Sequence, residues 1–173
     1  LETVHLPDNE FAIGTNCFYG CENLTSLNLK TNTRIAGTGG GIFEGTKLST
    51  FVISDESKHY SVSEDGKLLL NKDGTEIILA ATGAVYGYYK LDKKYTAIGE
   101  SAFSGTDIVS LEIENINTII RPYAFANCAK LIEVYFPEAG ILEVGAHAFD
   151  NGVKLGNVRN IEKVPSIGDY AFA

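Results

Sequence analysis

The chain has 173 residues, 22 Asp or Glu against 14 Lys or Arg, a net charge of −8 and a hydrophobic share of 45%. A chain this acidic with no basic cluster argues against a nucleic-acid partner, and no apolar run reaches the ~18 residues that would insert this segment into a membrane. Its nine Phe and nine Tyr supply enough apolar surface to exclude disorder. The first residues, Leu1-Glu2-Thr3-Val4, do not read as a signal peptide, and the lack of Met points to a processed form or an excised piece.

A repeat organises the sequence. Ala-Phe recurs at Ala102-Phe103, Ala124-Phe125, Ala148-Phe149 and Ala171-Phe172, with Cys17-Phe18 and Ile42-Phe43 as variants, and successive Phe residues are 25, 60, 22, 24 and 23 apart. The unit is therefore about 23 residues, interrupted by one insertion after the second copy. Residues 1–7 read as the tail of a unit (Leu1, Val4, Leu6, Pro7), and the last unit stops at Ala173, as in an array cut at both ends.

In most units an aliphatic precedes Phe by five residues and is usually followed by Gly, as in Ile13-Gly14, Ile98-Gly99, Val144-Gly145 and Ile167-Gly168. Period-two runs such as Leu27-x-Leu29, Leu111-x-Ile113 and Val134-x-Phe136 predict short half-buried strands. The Phe slot predicts a stacked core column, and the Ala before it leaves room for the adjacent coil. Two residues past Phe stand Gly20, Gly45, Gly105, Asn127 and Asn151, residues that enter the left-handed region cheaply, which predicts the end of a short helical turn.

In the second unit, ahead of its Phe43, Gly37-Thr38-Gly39-Gly40-Gly41 reads as a bulge between coils. In the insertion, residues 54–97, Asp65-Gly66 and Asp73-Gly74 are hairpin turn signals that predict a meander from Tyr60 to Ala81. Val85 to Tyr89 then returns the chain to the solenoid. The piece reads either as a β module on the flank or as an extension of the parallel sheet. Asn160 occupies a slot that elsewhere is aliphatic, which leaves the register of the last strand open.

Chemistry is sparse. Cys17, Cys21 and Cys128 fall in small-residue slots and read as packing, with a Cys17–Cys21 disulfide as the alternative in an oxidising compartment. No Cys-x-x-Cys or paired His marks zinc. His5, His59 and His147 stand alone, with no nucleophile arrangement beside them. Asp55-Glu56, Glu64-Asp65 and the loop Asn71 to Glu76 lack calcium-loop spacing. The expectation is no catalytic residue, no cofactor and no metal. Tyr86, Tyr88, Tyr89 and Tyr95 are divided between a contact patch and packing of the insertion.

These motifs resemble the BspA-like leucine-rich repeat family, whose unit runs Leu-x-x-Val-x-Ile-Pro, aliphatic-Gly, Ala-Phe-x-x-Cys-x-x-Leu; the resemblance covers residues 1–53 and 98–173. It implies an α/β leucine-rich repeat solenoid, a right-handed β/α superhelix of short strands and short helical turns over the whole chain, with a β insertion at 54–97. In such an array the outward strand slots align as a ladder ~4.8 Å apart, which places His5, Asn28, Val52, Glu112, Tyr135 and Arg159 in one strip and Thr3, Ser26, Thr50, Ser110, Glu133 and Asn157 in the next. The strip is the candidate binding face. The resemblance also implies a non-enzymatic adhesion module of a bacterial cell-surface or secreted protein, with a host or bacterial surface protein as partner. A purely structural spacer is the alternative, and a hydrolase using the acidic pairs is the weakest rival. Uncapped coil ends would favour end-to-end self-association.

Overall fold

The structure is a computed structural model, and it describes residues 1–36 and 41–173. The glycine-rich bulge read from the sequence lies mostly outside the described residues.

Among them, the first strands are β1 (Phe11–Ile13), β2 (Ser26–Leu29), β3 (Thr33–Ile35) and β4 (Thr50–Ile53). The insertion supplies β5 (Tyr60–Val62), β6 (Leu68–Asn71), β7 (Glu76–Ala80) and β8 (Tyr86–Leu91). The remaining strands are β9 (Ala97–Ile98), β10 (Asp107–Ile113), β11 (Ile119–Ile120), β12 (Glu133–Tyr135), β13 (Glu143–Val144) and β14 (Asn157–Arg159). They build a β-solenoid of about seven turns.

Two kinds of parallel ladder run along it. One holds the alternating strands: β2 beside β4, then β8, β10, β12 and β14 in a four-stranded sheet. The other holds the short aliphatic-Gly strands: β1 beside β3, then β7, β9, β11 and β13. The meander is real, with β5, β6 and β7 antiparallel, and β7 then pairs in parallel with β9. The insertion is therefore both a local meander and an extension of the parallel sheet. Its two tight turns form where the sequence places glycine, Gly66 at φ 71° and Gly74 at φ 74°.

The helical turns predicted around Ala-Phe are absent. Among the described residues the one helical segment is a 3-10 turn, Ile161–Lys163, so the α/β superhelix gives way to an all-β solenoid. The cause is a division of backbone donors. Alternate N–H groups close local turns, as in Ala102 to the Gly99 carbonyl (3.1 Å) and Ser104 to that of Ser101 (3.1 Å). Those between reach the next coil instead: Phe103 to Ala124 (2.8 Å), Phe125 to Ala148 (2.7 Å) and Phe149 to Ala171 (2.8 Å). An α-helix needs every N–H to reach back four residues along its own chain.

Left-handed residues on both sides of Phe enforce this shape. Gly20, Gly45, Gly105, Asn127 and Asn151 have positive φ, as their slot predicts; so does the slot two residues before Phe, at Asn16 and, without any preference for it, at Ser101, Tyr123, His147 and Tyr170. Successive φ inversions leave no room for a helical turn.

The Phe column also differs from expectation. It consists of two stacks rather than one. Phe103, Phe125, Phe149 and Phe172 stack face to face with centroids 5.0, 5.2 and 5.1 Å apart, while Phe18 stacks on Phe43 at 5.5 Å in a separate core. Between them the insertion coil carries no Phe. Its turn is held instead by Gly83 N–H on the Leu48 carbonyl (2.8 Å) and by the Thr82 hydroxyl, 3.0 Å from the Phe43 carbonyl and 2.9 Å from the Thr46 hydroxyl.

The last strand has a definite register. Val158 faces Val134 and Arg159 faces Tyr135. Asn160 leaves the ladder in a left-handed conformation, φ 62°, and its amide Nδ2 donates to the Phe136 carbonyl at 2.8 Å. Asn is used at this slot because it combines the left-handed backbone with a side-chain donor.

Candidate functional site

Alternation along the four-stranded sheet decides which side chains face out. In β8, Tyr89 turns inward and meets Phe103 edge-on at 6.1 Å, and Leu91 is buried. Tyr88 and Lys90 turn outward. Pairing then aligns two outer rows: Tyr88, Ser110, Glu133 and Asn157 in the first, and Lys90, Glu112, Tyr135 and Arg159 in the second. An irregularity between Ile108 and Ser110, opposite Gly87 at φ 68°, brings Tyr88 level with Ser110.

The rows are tied together by polar contacts. The Tyr88 hydroxyl donates to Glu112. Lys90 Nζ lies 3.0 Å from Glu112 and 2.9 Å from Glu114. The Tyr135 hydroxyl donates to Glu133 at 2.5 Å, and Ser110 Oγ donates to the same carboxylate at 3.2 Å. The Arg159 guanidinium lies over the Tyr135 ring, 4.9 Å from its centroid. At such exposure solvent screens these contacts, so together they fix orientation more than stability.

Their charge states follow. The Tyr88 hydrogen bond, then Lys90, holds the Glu112 carboxyl below its usual range. Hydrogen bonds to Glu114 and Glu112 raise the Lys90 ammonium well above its ordinary value. Both tyrosine phenols are raised by the carboxylates they donate to. Glu112 and Lys90 are therefore charged, and the Tyr88 and Tyr135 phenols protonated, near neutral pH.

Between the rows and the end of β12 lies a groove of about 550 Å³. Tyr88 and Tyr135 stand in its wall with Phe136 and Pro137 as apolar surface. The carboxylates of Glu112, Glu114, Glu133 and Glu138 also line it, with no Lys or Arg among the lining residues.

The structure divides the strip read from the sequence. Glu112, Tyr135 and Arg159 are direct neighbours in one sheet. Asn28 and Val52 face each other in the separate β2–β4 pair. The two groups are kept apart by the first meander turn: the Phe51 N–H bonds to the Gly66 carbonyl at 2.9 Å, so β4 meets this turn on the side where β8 would continue the ladder. His5 is exposed and lies in no strand, contrary to its predicted slot; residues 1–7 form no ladder among the described residues. Tyr88, Lys90 and Glu114 were not read as part of the face. The usable signal was the alternation Tyr86-Gly-Tyr-Tyr-Lys-Leu91, which ends on a buried leucine as the repeat strands do.

The remaining candidates have structural settings. Cys128 is buried, its thiol donating to the Phe103 carbonyl at 3.2 Å, and burial pushes its pKa up to about 11. Cys17, read as packing, is exposed; it and Cys21 are free thiols. His147 is sandwiched between Tyr123 (4.9 Å) and Tyr170 (5.3 Å), its Nδ1 3.3 Å from Asp150 without hydrogen-bond alignment. The tyrosine patch splits, with Tyr86 and Tyr88 exposed and Tyr95 buried. Among the described residues no three His, Cys, Asp or Glu side chains are grouped to hold a metal, and no helix is long and apolar enough to cross a membrane.

The sequence of these repeats matches the model of a known family, the BspA type leucine-rich repeat region, in six copies over residues 1–63 and 88–173. The chain belongs to this family. The match reaches further into the insertion, from both sides, than the motifs alone indicated, and takes in the end of β8. The fold is similar to that of the pneumococcal vaccine antigen PcpA, with TM-score 0.72 and 23% identity over 95% of this chain and 40% of that one. It is also similar to a leucine-rich cell surface protein from Faecalibacterium prausnitzii, with TM-score 0.52 and 21% identity over 91% of this chain and 53% of that one. At these identities the likeness is one of fold, and the chain spans about half or less of either protein. No curated protein matches it.

Proposed function

We propose that this chain is a non-enzymatic protein-interaction module of a bacterial cell-surface or secreted protein, and that it binds through the outer face of β8, β10, β12 and β14. Membership of the BspA-type family and a fold shared with a cell surface protein support the setting. The observation that carries the reading is the row Lys90, Glu112, Tyr135 and Arg159, four side chains in register on adjacent strands, of which Glu112 and Tyr135 line an open groove. Tyr and Arg are the residue types that dominate binding energy at protein interfaces, and solenoids present such rows as extended surfaces. Asn28, Val52 and His5 belong to the proposal as a secondary contact area beyond the Gly66 turn.

The test is surface plasmon resonance against purified extracellular-matrix and bacterial surface proteins. The double variant Tyr135→Ala/Arg159→Ala should weaken a bound partner at least tenfold, about 1.4 kcal/mol. Unchanged affinity would place the binding surface elsewhere, and a chain that binds no member of either class would favour the spacer role.

A further inference from the structure

Resting on that face as the binding surface, we infer that its groove selects partners by a lysine- or arginine-bearing extended peptide segment. Four carboxylates, Glu112, Glu114, Glu133 and Glu138, line the groove and no Lys or Arg does; Lys90, outside the lining, pairs with Glu112 and Glu114, so Glu133 and Glu138 carry the groove's unbalanced charge. The two cations beside it are already engaged, Lys90 by Glu112 and Glu114, and Arg159 by the Tyr135 ring. An anionic segment would thus meet repulsion with no free counter-charge, whereas a cationic one is complementary.

The aromatic groups narrow the chemistry further. Arg159 on Tyr135 shows that this ring accepts a guanidinium at 4.9 Å, and the exposed Tyr88 ring offers a second π surface in the same groove. Phe136 and Pro137 give apolar surface for the methylene stem of Lys or Arg while its charged head reaches a carboxylate. Each tyrosine also holds a carboxylate in place, Tyr88 that of Glu112 and Tyr135 that of Glu133, so the acceptors are oriented before a ligand arrives. A bare divalent cation fits less well, because these carboxylates are spread around the groove and do not converge. The net charge of −8 adds long-range attraction for the same class of partner.

Fluorescence anisotropy with a labelled, capped peptide bearing three lysines tests this, alongside the same peptide with every lysine acetylated or replaced by glutamate. The groove variant Glu114→Gln/Glu133→Gln/Glu138→Gln is compared with Glu22→Gln/Asp55→Asn/Glu56→Gln, which removes the same charge at exposed positions outside the groove. The lysine peptide should bind the unaltered chain, lose at least tenfold affinity to the groove variant and change less than twofold with the control. The acetylated and glutamate peptides should not bind. Equal losses in both variants, binding of the acetylated peptide, or no binding of the lysine peptide would overturn the inference. If the Tyr135/Arg159 double variant still weakens a protein partner in that event, the face stands and only its preference for cations falls.

Discussion

The two cores of this solenoid use the same repeat to different effect. In the C-terminal core, Phe125 lies between Phe103 and Phe149 in near-parallel stacks, fully buried, with buried Ala124 beside it. In the N-terminal core, Phe18 has one aromatic neighbour, Phe43, which in turn meets Phe51 edge-on. The coil between them keeps the backbone contacts of a repeat and omits its Phe. Coil stacking thus survives without the aromatic column, and the column adds packing energy where it is continuous. Glu44 bridges the gap, its Oε2 accepting from Ser104 Oγ and Asn127 Nδ2, both at 3.2 Å. The regular four-stranded ladder also belongs to the C-terminal part, so the face with the groove stands on the better-packed core.

The sharpest break in this comparison is Phe125→Ala against Phe18→Ala. Removing Phe125 should cost about 3–5 kcal/mol, a packing loss plus a cavity. Phe18, slightly exposed and stacked on one side, should cost less. Urea titration of both variants checks the order, and equal losses would show that stacking adds nothing beyond burial.

A smaller effect is expected at one repeat slot read in two places. A Cβ on Gly145 would stand 2.7 Å from the Pro122 nitrogen and 2.8 Å from the Arg121 carbonyl carbon, whereas one on Gly14 would meet nothing within 4 Å. Gly145→Ala should destabilise by roughly 1–3 kcal/mol through overpacking. Gly14→Ala should be neutral, or stabilise by about 0.4–1 kcal/mol through the unfolded chain. Thermal melts of the pair decide it.

The smallest effects concern the thiols. Cys128 keeps its proton to about 11 when folded, from an ordinary value near 9. The unfolded chain therefore releases this proton first, so stability should fall as pH rises from about 9 to about 11, and Cys128→Ser should alter that slope. Exposed Cys17 should react with a thiol reagent at pH 8 while Cys128 stays protected until unfolding. Equal labelling rates would contradict the burial of Cys128.

Much of this was legible in the sequence, for identifiable reasons. Period-two alternation sets strand register, so Ser110 faces Glu133 and Glu112 faces Tyr135 as the repeat slots align them. Glycine or Asn two residues past Phe marked a left-handed backbone correctly. The same backbone at Ser101, Tyr123 and His147 was invisible, because inter-coil hydrogen bonds impose it on residues with no preference for it. That hidden constraint is also why the helical turns failed to form. β8 reads in the sequence only as the chain's return to the solenoid, because Gly87 and Tyr89 stand where the repeat strands carry aliphatics, and so Tyr88 and Lys90 are not placed in the strip.

Hydrogen exchange of the chain with and without a bound surface protein addresses the main claim most directly. Added protection should concentrate in residues 86–91, 107–114, 133–138 and 157–160, the strands and groove of the outer face. Protection confined to the meander, residues 60–80, or to the Phe turns on the other edge would contradict it.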